Sequence, residues 1–149
     1  MKHTLRLFAA TLALVVCATA ARAQETADVQ TIAAYTNQRG STLYIENVVQ
    51  PSGMFTGYYI NRASGTGCRD TPFPVIGWVI GNAISFTVRW ANSSINCSSV
   101  TGWTGNISRD GATITTSWYL AVNGSTSLMN GQDVFRRVAR TTRRSMMEQ

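Results

Sequence analysis

From about Tyr35 to Val138 the chain is cut into short apolar or alternating runs by Gly, Asn, Pro and Ser, roughly every ten residues. Segments that short leave no room for long helices, and no stretch repeats with a helical period. The rhythm predicts an all-β fold, an antiparallel barrel or sandwich. The first strand is short, near Tyr35, and the others cover residues 42–49, 54–61, 75–79, 83–91, 99–108, 112–122 and 132–138. Loops are expected over 62–74, which holds Cys68, over 92–98, which holds Cys97, and over 123–130.

Side chains alternate across a strand. Ile84, Phe86, Val88 and Trp90 therefore share one face of the fifth strand, opposite Ser85, Thr87 and Arg89. The same parity groups Phe55, Gly57, Tyr59 and Asn61; Thr101, Trp103 and Gly105; and Ile114, Thr116, Trp118 and Leu120. Eight strands with one apolar face predict a closed barrel, which can hold one small ligand. On parity alone the three inward tryptophans read as plain core more readily than as a ligand box.

The start of the chain reads differently. Lys2 and Arg6 precede an apolar run from Leu5 to about Ala18, and Ala21-Arg22-Ala23 follows. Residues 1–23 form an expected signal peptide, which implies a secreted or periplasmic protein. The run is short for a membrane span. Removal leaves roughly 126 residues, enough for one domain, with a flexible lead-in over 24–34, the barrel over 35–138 and a disordered basic tail over 139–149. Arg136, Arg137, Arg140, Arg143 and Arg144 crowd this end. A nucleic-acid or membrane contact is the other use of such charge, but the domain itself has no basic stripe interleaved with aromatics, so neither partner is expected.

The cut also removes Lys2, His3 and Cys17. Without histidine or lysine there is no Ser-His-Asp or Cys-His arrangement and no Schiff base. Cys68 and Cys97 remain, and two cysteines in an exported chain predict one disulfide. Oxidised, they leave no usual transition-metal site. The remaining carboxylates fall mostly in turns or tails; Asp133 stands out as a carboxylate in a strand whose neighbours imply burial. One inward carboxylate fits ligand hydrogen bonding better than acid–base work, so no enzymatic activity is expected.

Six motifs then follow in order. They are Asn37-Gln38-Arg39-Gly40-Ser41-Thr42; Thr56-Gly57-Tyr58-Tyr59; Phe86-Thr87-Val88-Arg89-Trp90; Ser99-Val100-Thr101-Gly102-Trp103-Thr104-Gly105; Ser117-Trp118-Tyr119-Leu120; and Gly131-Gln132-Asp133-Val134-Phe135. Together they resemble the avidin/streptavidin family, which implies an eight-stranded antiparallel up-and-down barrel that binds biotin as ligand and carries no cofactor. Gly65-Thr66-Gly67-Cys68 and Asn96-Cys97-Ser98-Ser99 resemble the cysteine loops of the short dimeric (rhizavidin-like) avidins. The lack of tryptophan between Asn123 and Gly131 points the same way, to a homodimer.

The resemblance implies that Asn37, Ser41 and Tyr59 donate to the ureido oxygen, and that Asp133 and Asn61 accept from the ureido N–H groups. Thr101 would meet the thioether sulfur. Trp90, Trp103, Trp118 and Leu120 would line the apolar box, with Ser99 and the loop around residues 64–67 at the carboxylate. Three positions depart from the family pattern: Tyr35 stands where tryptophan is usual, Arg39 where a small or apolar residue is, and Trp78 outside the usual tryptophan set. A secreted barrel for another small apolar ligand, or one that inhibits a protease, is the alternative.

Overall fold

A computed structural model describes residues 32–139. The expected signal peptide, most of the lead-in and nearly all of the basic tail lie outside the described residues. Eight strands, each antiparallel to the next in sequence, close into one barrel as β8 pairs with β1. The strands are β1 (Ala33–Asn37), β2 (Thr42–Val49), β3 (Met54–Ile60), β4 (Pro72–Ile80), β5 (Ala83–Ala91), β6 (Asn96–Ile107), β7 (Thr113–Val122) and β8 (Met129–Arg137).

The inward parity read from the sequence is the one observed. Phe55, Tyr59, Ile84, Phe86, Val88, Trp90, Trp103, Ile114 and Phe135 are all buried and form one core with Leu43, Phe73 and Val75. The lower barrel is filled by stacked rings: Phe86 lies parallel to Trp103 with centroids 4.9 Å apart, and Phe135 meets Phe86 edge-on at 5.9 Å. Packing of this kind fills the barrel below mid-height and leaves its other end for a ligand.

Four strand starts are earlier than expected. β1 begins at Ala33, and the Ile32 N–H already donates to Ile45 O at 2.7 Å. β4 begins at Pro72 despite two prolines. Both lie where β4 pairs with β3 alone, since its pairing with β5 begins at Val75. A missing N–H costs nothing on an edge that has no acceptor opposite. β6 begins at Asn96 because the β5–β6 ladder resumes beyond a register shift, with Ala91 opposite Asn96. Cys97 therefore sits in a strand and not in a loop. β8 begins at Met129, and Gly131 lies opposite Trp118.

Candidate functional site

The end of the barrel bearing the β1–β2 turn and the 61–71 loop opens into a cavity of about 360 Å³. Every residue expected to bind the ligand lines it: Asn37, Ser41, Tyr59, Asn61, Trp90, Ser99, Thr101, Trp103, Trp118, Leu120 and Asp133. The disulfide forms as expected between Cys68 and Cys97 and ties the 61–71 loop to the start of β6 at the cavity mouth.

The polar corner is built on the β1–β2 turn. Asn37 Oδ1 accepts the backbone N–H groups of Arg39 (3.0 Å) and Ser41 (2.9 Å), and Gly40 takes the left-handed conformation (φ 82°) that closes the turn. With its oxygen engaged by the backbone, Asn37 points its amide N–H groups inward, one of them to the Tyr59 hydroxyl at 3.3 Å. Burial raises the Tyr59 pKa above the ordinary phenol range; Ser41 and the Arg39 charge only partly oppose this, and the Asp133 charge adds to it. The phenol therefore remains a donor throughout the neutral range.

Asn61 does more than line the wall. Its amide donates to Thr66 Oγ1 (2.9 Å) and Gly67 O (3.0 Å), and its oxygen accepts from Ala63 N (3.1 Å) and Ser41 Oγ (3.4 Å). It holds the 61–71 loop in place. Ser41 Oγ in turn accepts the Arg62 backbone N–H at 2.8 Å, so its own proton is the movable one.

Asp133 is buried in β8. Trp103 Nε1 donates to its Oδ2 at 3.0 Å, and Gln38 Nε2 to its Oδ1 at 3.0 Å. The Asn37 amide, nearby in the same corner, turns to Tyr59 instead. Gln38 also donates to Gln132 O (3.1 Å) and accepts from Val134 N (2.9 Å). It thereby continues the β1–β8 pairing by side chain, beyond the last backbone pair, Asn37 with Phe135. Nor is Asp133 the only charge in the pocket. Arg39 lines the cavity as well, with Nε 3.9 Å from Asp133 Oδ1. Turn residues carry no periodic signal, so the reach of Gln38 and Arg39 to Asp133 could not be read from spacing.

The apolar walls are rings braced on rings. Trp90 meets Phe73 at 5.3 Å and Tyr59 at 5.7 Å, both edge-on, and donates its indole N–H to Thr101 Oγ1 at 2.7 Å. The Thr101 hydroxyl proton is left to face the cavity. Trp118 lies flat over Gly131, where an added Cβ would come within 2.6 Å of its ring. Ala63, Val122 and Met129 complete the lining. Of the departures from the family pattern, Tyr35 is buried and donates to Gly111 O at 3.0 Å, at the barrel's other end. Trp78 faces outward, 45% exposed.

Comparisons with known proteins agree with this geometry. A family model described as Avidin family matches residues 25–138. Afifavidin from Afifella pfennigii is 44% identical over 105 residues, which are 68% of this chain and 65% of that protein, so the chain spans just under two thirds of it. Hoefavidin from Hoeflea phototrophica is 42% identical over 123 residues, 76% of this chain and 75% of that protein. Among solved structures, apo shwanavidin superposes with a TM-score of 0.69 at 46% identity, covering 74% of this chain and 97% of that one. The crystal structure of a rhizavidin–biotin complex does so with 0.68 at 41% identity, covering 76% and 95%.

Proposed function

This chain belongs to the avidin family, and we propose that it binds biotin without covalent chemistry, one molecule per barrel, and catalyses nothing. The observation that carries this is a single cavity with inward donors at one corner, a buried carboxylate beside them and tryptophan walls above. Biotin is an apolar bicycle with one polar edge, and a dry aromatic pocket with a few fixed polar groups suits it. The Asn37 amide, the Tyr59 hydroxyl and the Ser41 hydroxyl converge on the ureido oxygen. Ser41 reaches it by turning its proton away from Asn61, which frees a lone pair on Asn61 for a ureido N–H. Asp133 takes the other N–H, and a bond to a carboxylate is among the strong ones. The Thr101 hydroxyl faces the thioether sulfur. Trp90, Trp103, Trp118 and Leu120 enclose the rings and chain, and Ser99 with the residues 64–67 loop meets the carboxylate.

The same reading has the protein exported after loss of residues 1–23 and paired as a homodimer. The outward row on β4 supports pairing: Ile76, Trp78 and Ile80 are exposed. Calorimetric titration with biotin tests the function. One site per chain is expected, with reduced quencher access to tryptophan; no heat at micromolar protein refutes it.

A further inference from the structure

The β1–β2 turn places a cation on the ground a ligand needs. Arg39 Cζ lies 5.8 Å from the centre of the Trp118 ring, within cation–π range, and Arg39 Nε is 3.9 Å from Asp133 Oδ1. A carboxylate oxygen offers two lone-pair directions. Gln38 occupies one on Oδ1, and Arg39 Nε stands 3.9 Å from the same oxygen on the cavity wall. A ligand donor arriving at Oδ1 meets both. Gln38 is anchored by two more bonds to β8, whereas the Arg39 side chain is 48% exposed. Arg39 is the group that yields, and water can receive its head at little cost.

We propose that Arg39 is a gate that sets the rate and affinity of ligand entry. Closed, its guanidinium covers the Trp118 face and shields Asp133; open, it swings to solvent and exposes both. The identity of the ligand rests on the biotin reading; the closed position does not. Two weak contacts hold the gate, so closed molecules outnumber open ones by about tenfold, and the apparent affinity falls by the open fraction.

Stopped-flow association with biotinamide tests this, because that ligand has no charge for Arg39 to attract. Arg39→Ser is expected to raise the association rate about 5- to 20-fold, with Arg39→Lys between the two. Added salt screens the Arg39–Asp133 pair, so the wild-type rate should rise from about 20 to about 500 mM KCl while that of Arg39→Ser stays flat. A merely structural residue would show no such salt response. In the free protein, Arg39→Ser should increase acrylamide quenching, and the increase should vanish in a Trp118→Phe background. Equal rates in proteins that both bind, or quenching that ignores the substitution, overturns the gate. A quenching difference in proteins that bind neither biotin nor biotinamide supports the closed position and overturns the biotin reading alone.

Discussion

Asp133 and Tyr59 face the same cavity but depend on burial in opposite ways. A carboxylate in an apolar box is costly unless hydrogen-bonded, and Asp133 meets that need with Trp103 and Gln38. Asp133→Ala removes the ligand's acceptor and leaves the buried Trp103 indole N–H unpaired, while the exposed Gln38 keeps its bond to Gln132 O. Calorimetry should show biotin binding weakened by roughly 2–4 kcal/mol, with part recovered in Asp133→Asn, whose carbonyl still accepts; the far-UV spectrum should not change. A loss under threefold, below about 1 kcal/mol, would mean that Asp133 does not face the ligand. For Tyr59 burial favours the neutral phenol. A raised pKa contributes stability that is full below the ordinary tyrosine value, about 10, and is lost as pH rises beyond it. Unfolding free energy of the wild type should therefore fall with pH above about 10, and the fall should be shallower in Tyr59→Phe by up to about 1.4 kcal/mol per pH unit. Urea titrations at pH 9 and 11 measure both slopes; equal slopes refute the assignment of the raised pKa to this residue.

At the scale of elements, two parts of the site lie outside the strands, the β1–β2 turn and the longer 61–71 loop. The Cys68–Cys97 disulfide and the Asn61 bonds to Thr66 and Gly67 hold the loop, together with the Arg62 N–H on Ser41 Oγ and the Asp70 N–H on Asn61 O. The disulfide closes a loop that contains β4 and β5 and is worth roughly 3–4 kcal/mol in the chain-entropy model, but the strand ladders of the barrel close without it. Reduction, or the double change Cys68→Ser with Cys97→Ser, should raise the biotin off-rate and leave the barrel folded; a lost far-UV strand signal at room temperature would contradict this. The strands themselves differ in how legible they are. Alternation alone locates β3, β5 and β7 to within a residue, because their inward rows are continuous, and the apolar run places β2 as well although a bulge shifts its inward row from Ile45 to Val48. It misplaces the starts of β4, β6 and β8, where turn-type residues sit inside the ladder. Pro72 and Pro74 are tolerated on a half-paired edge, Asn96 follows a register shift, and Asn130-Gly131 is strand because Trp118 needs a bare backbone beneath its ring. The pocket residues on strands are legible by the same parity. Gln38 and Arg39 are not, since the direction of a turn side chain depends on partners distant in sequence, here on β7 and β8.

For the whole molecule, closure decides how copies can meet. A sealed barrel offers no strand edge to a second chain, so association must use outward side chains. The outer row of β4 is apolar along its length: Pro72, Pro74, Ile76, Trp78 and Ile80 all face out. On one side it is extended by Met54 and Tyr58 of β3, opposite Trp78 and Pro74, and Tyr58 stacks on Tyr44 of β2 at 4.4 Å. On the β6–β8 side the exposed apolar residues Val100, Tyr119, Val122, Met129 and Val134 are interspersed with Thr104, Thr115 and Gln132. A contiguous apolar patch of the first kind marks an interaction surface, and a two-fold dimer uses one self-complementary patch on both chains. Light scattering should give a mass near two chains, and Trp78→Glu should lower it to one, because a charge at the centre of that patch is paired with its own copy across the axis. Tyr119→Glu should leave the dimer intact. Biotin stoichiometry should remain one per chain in the Trp78→Glu monomer, since every wall of the cavity comes from a single barrel. A mass near four chains, or a dimer that survives Trp78→Glu and falls apart with Tyr119→Glu, would place the contact elsewhere on the barrel.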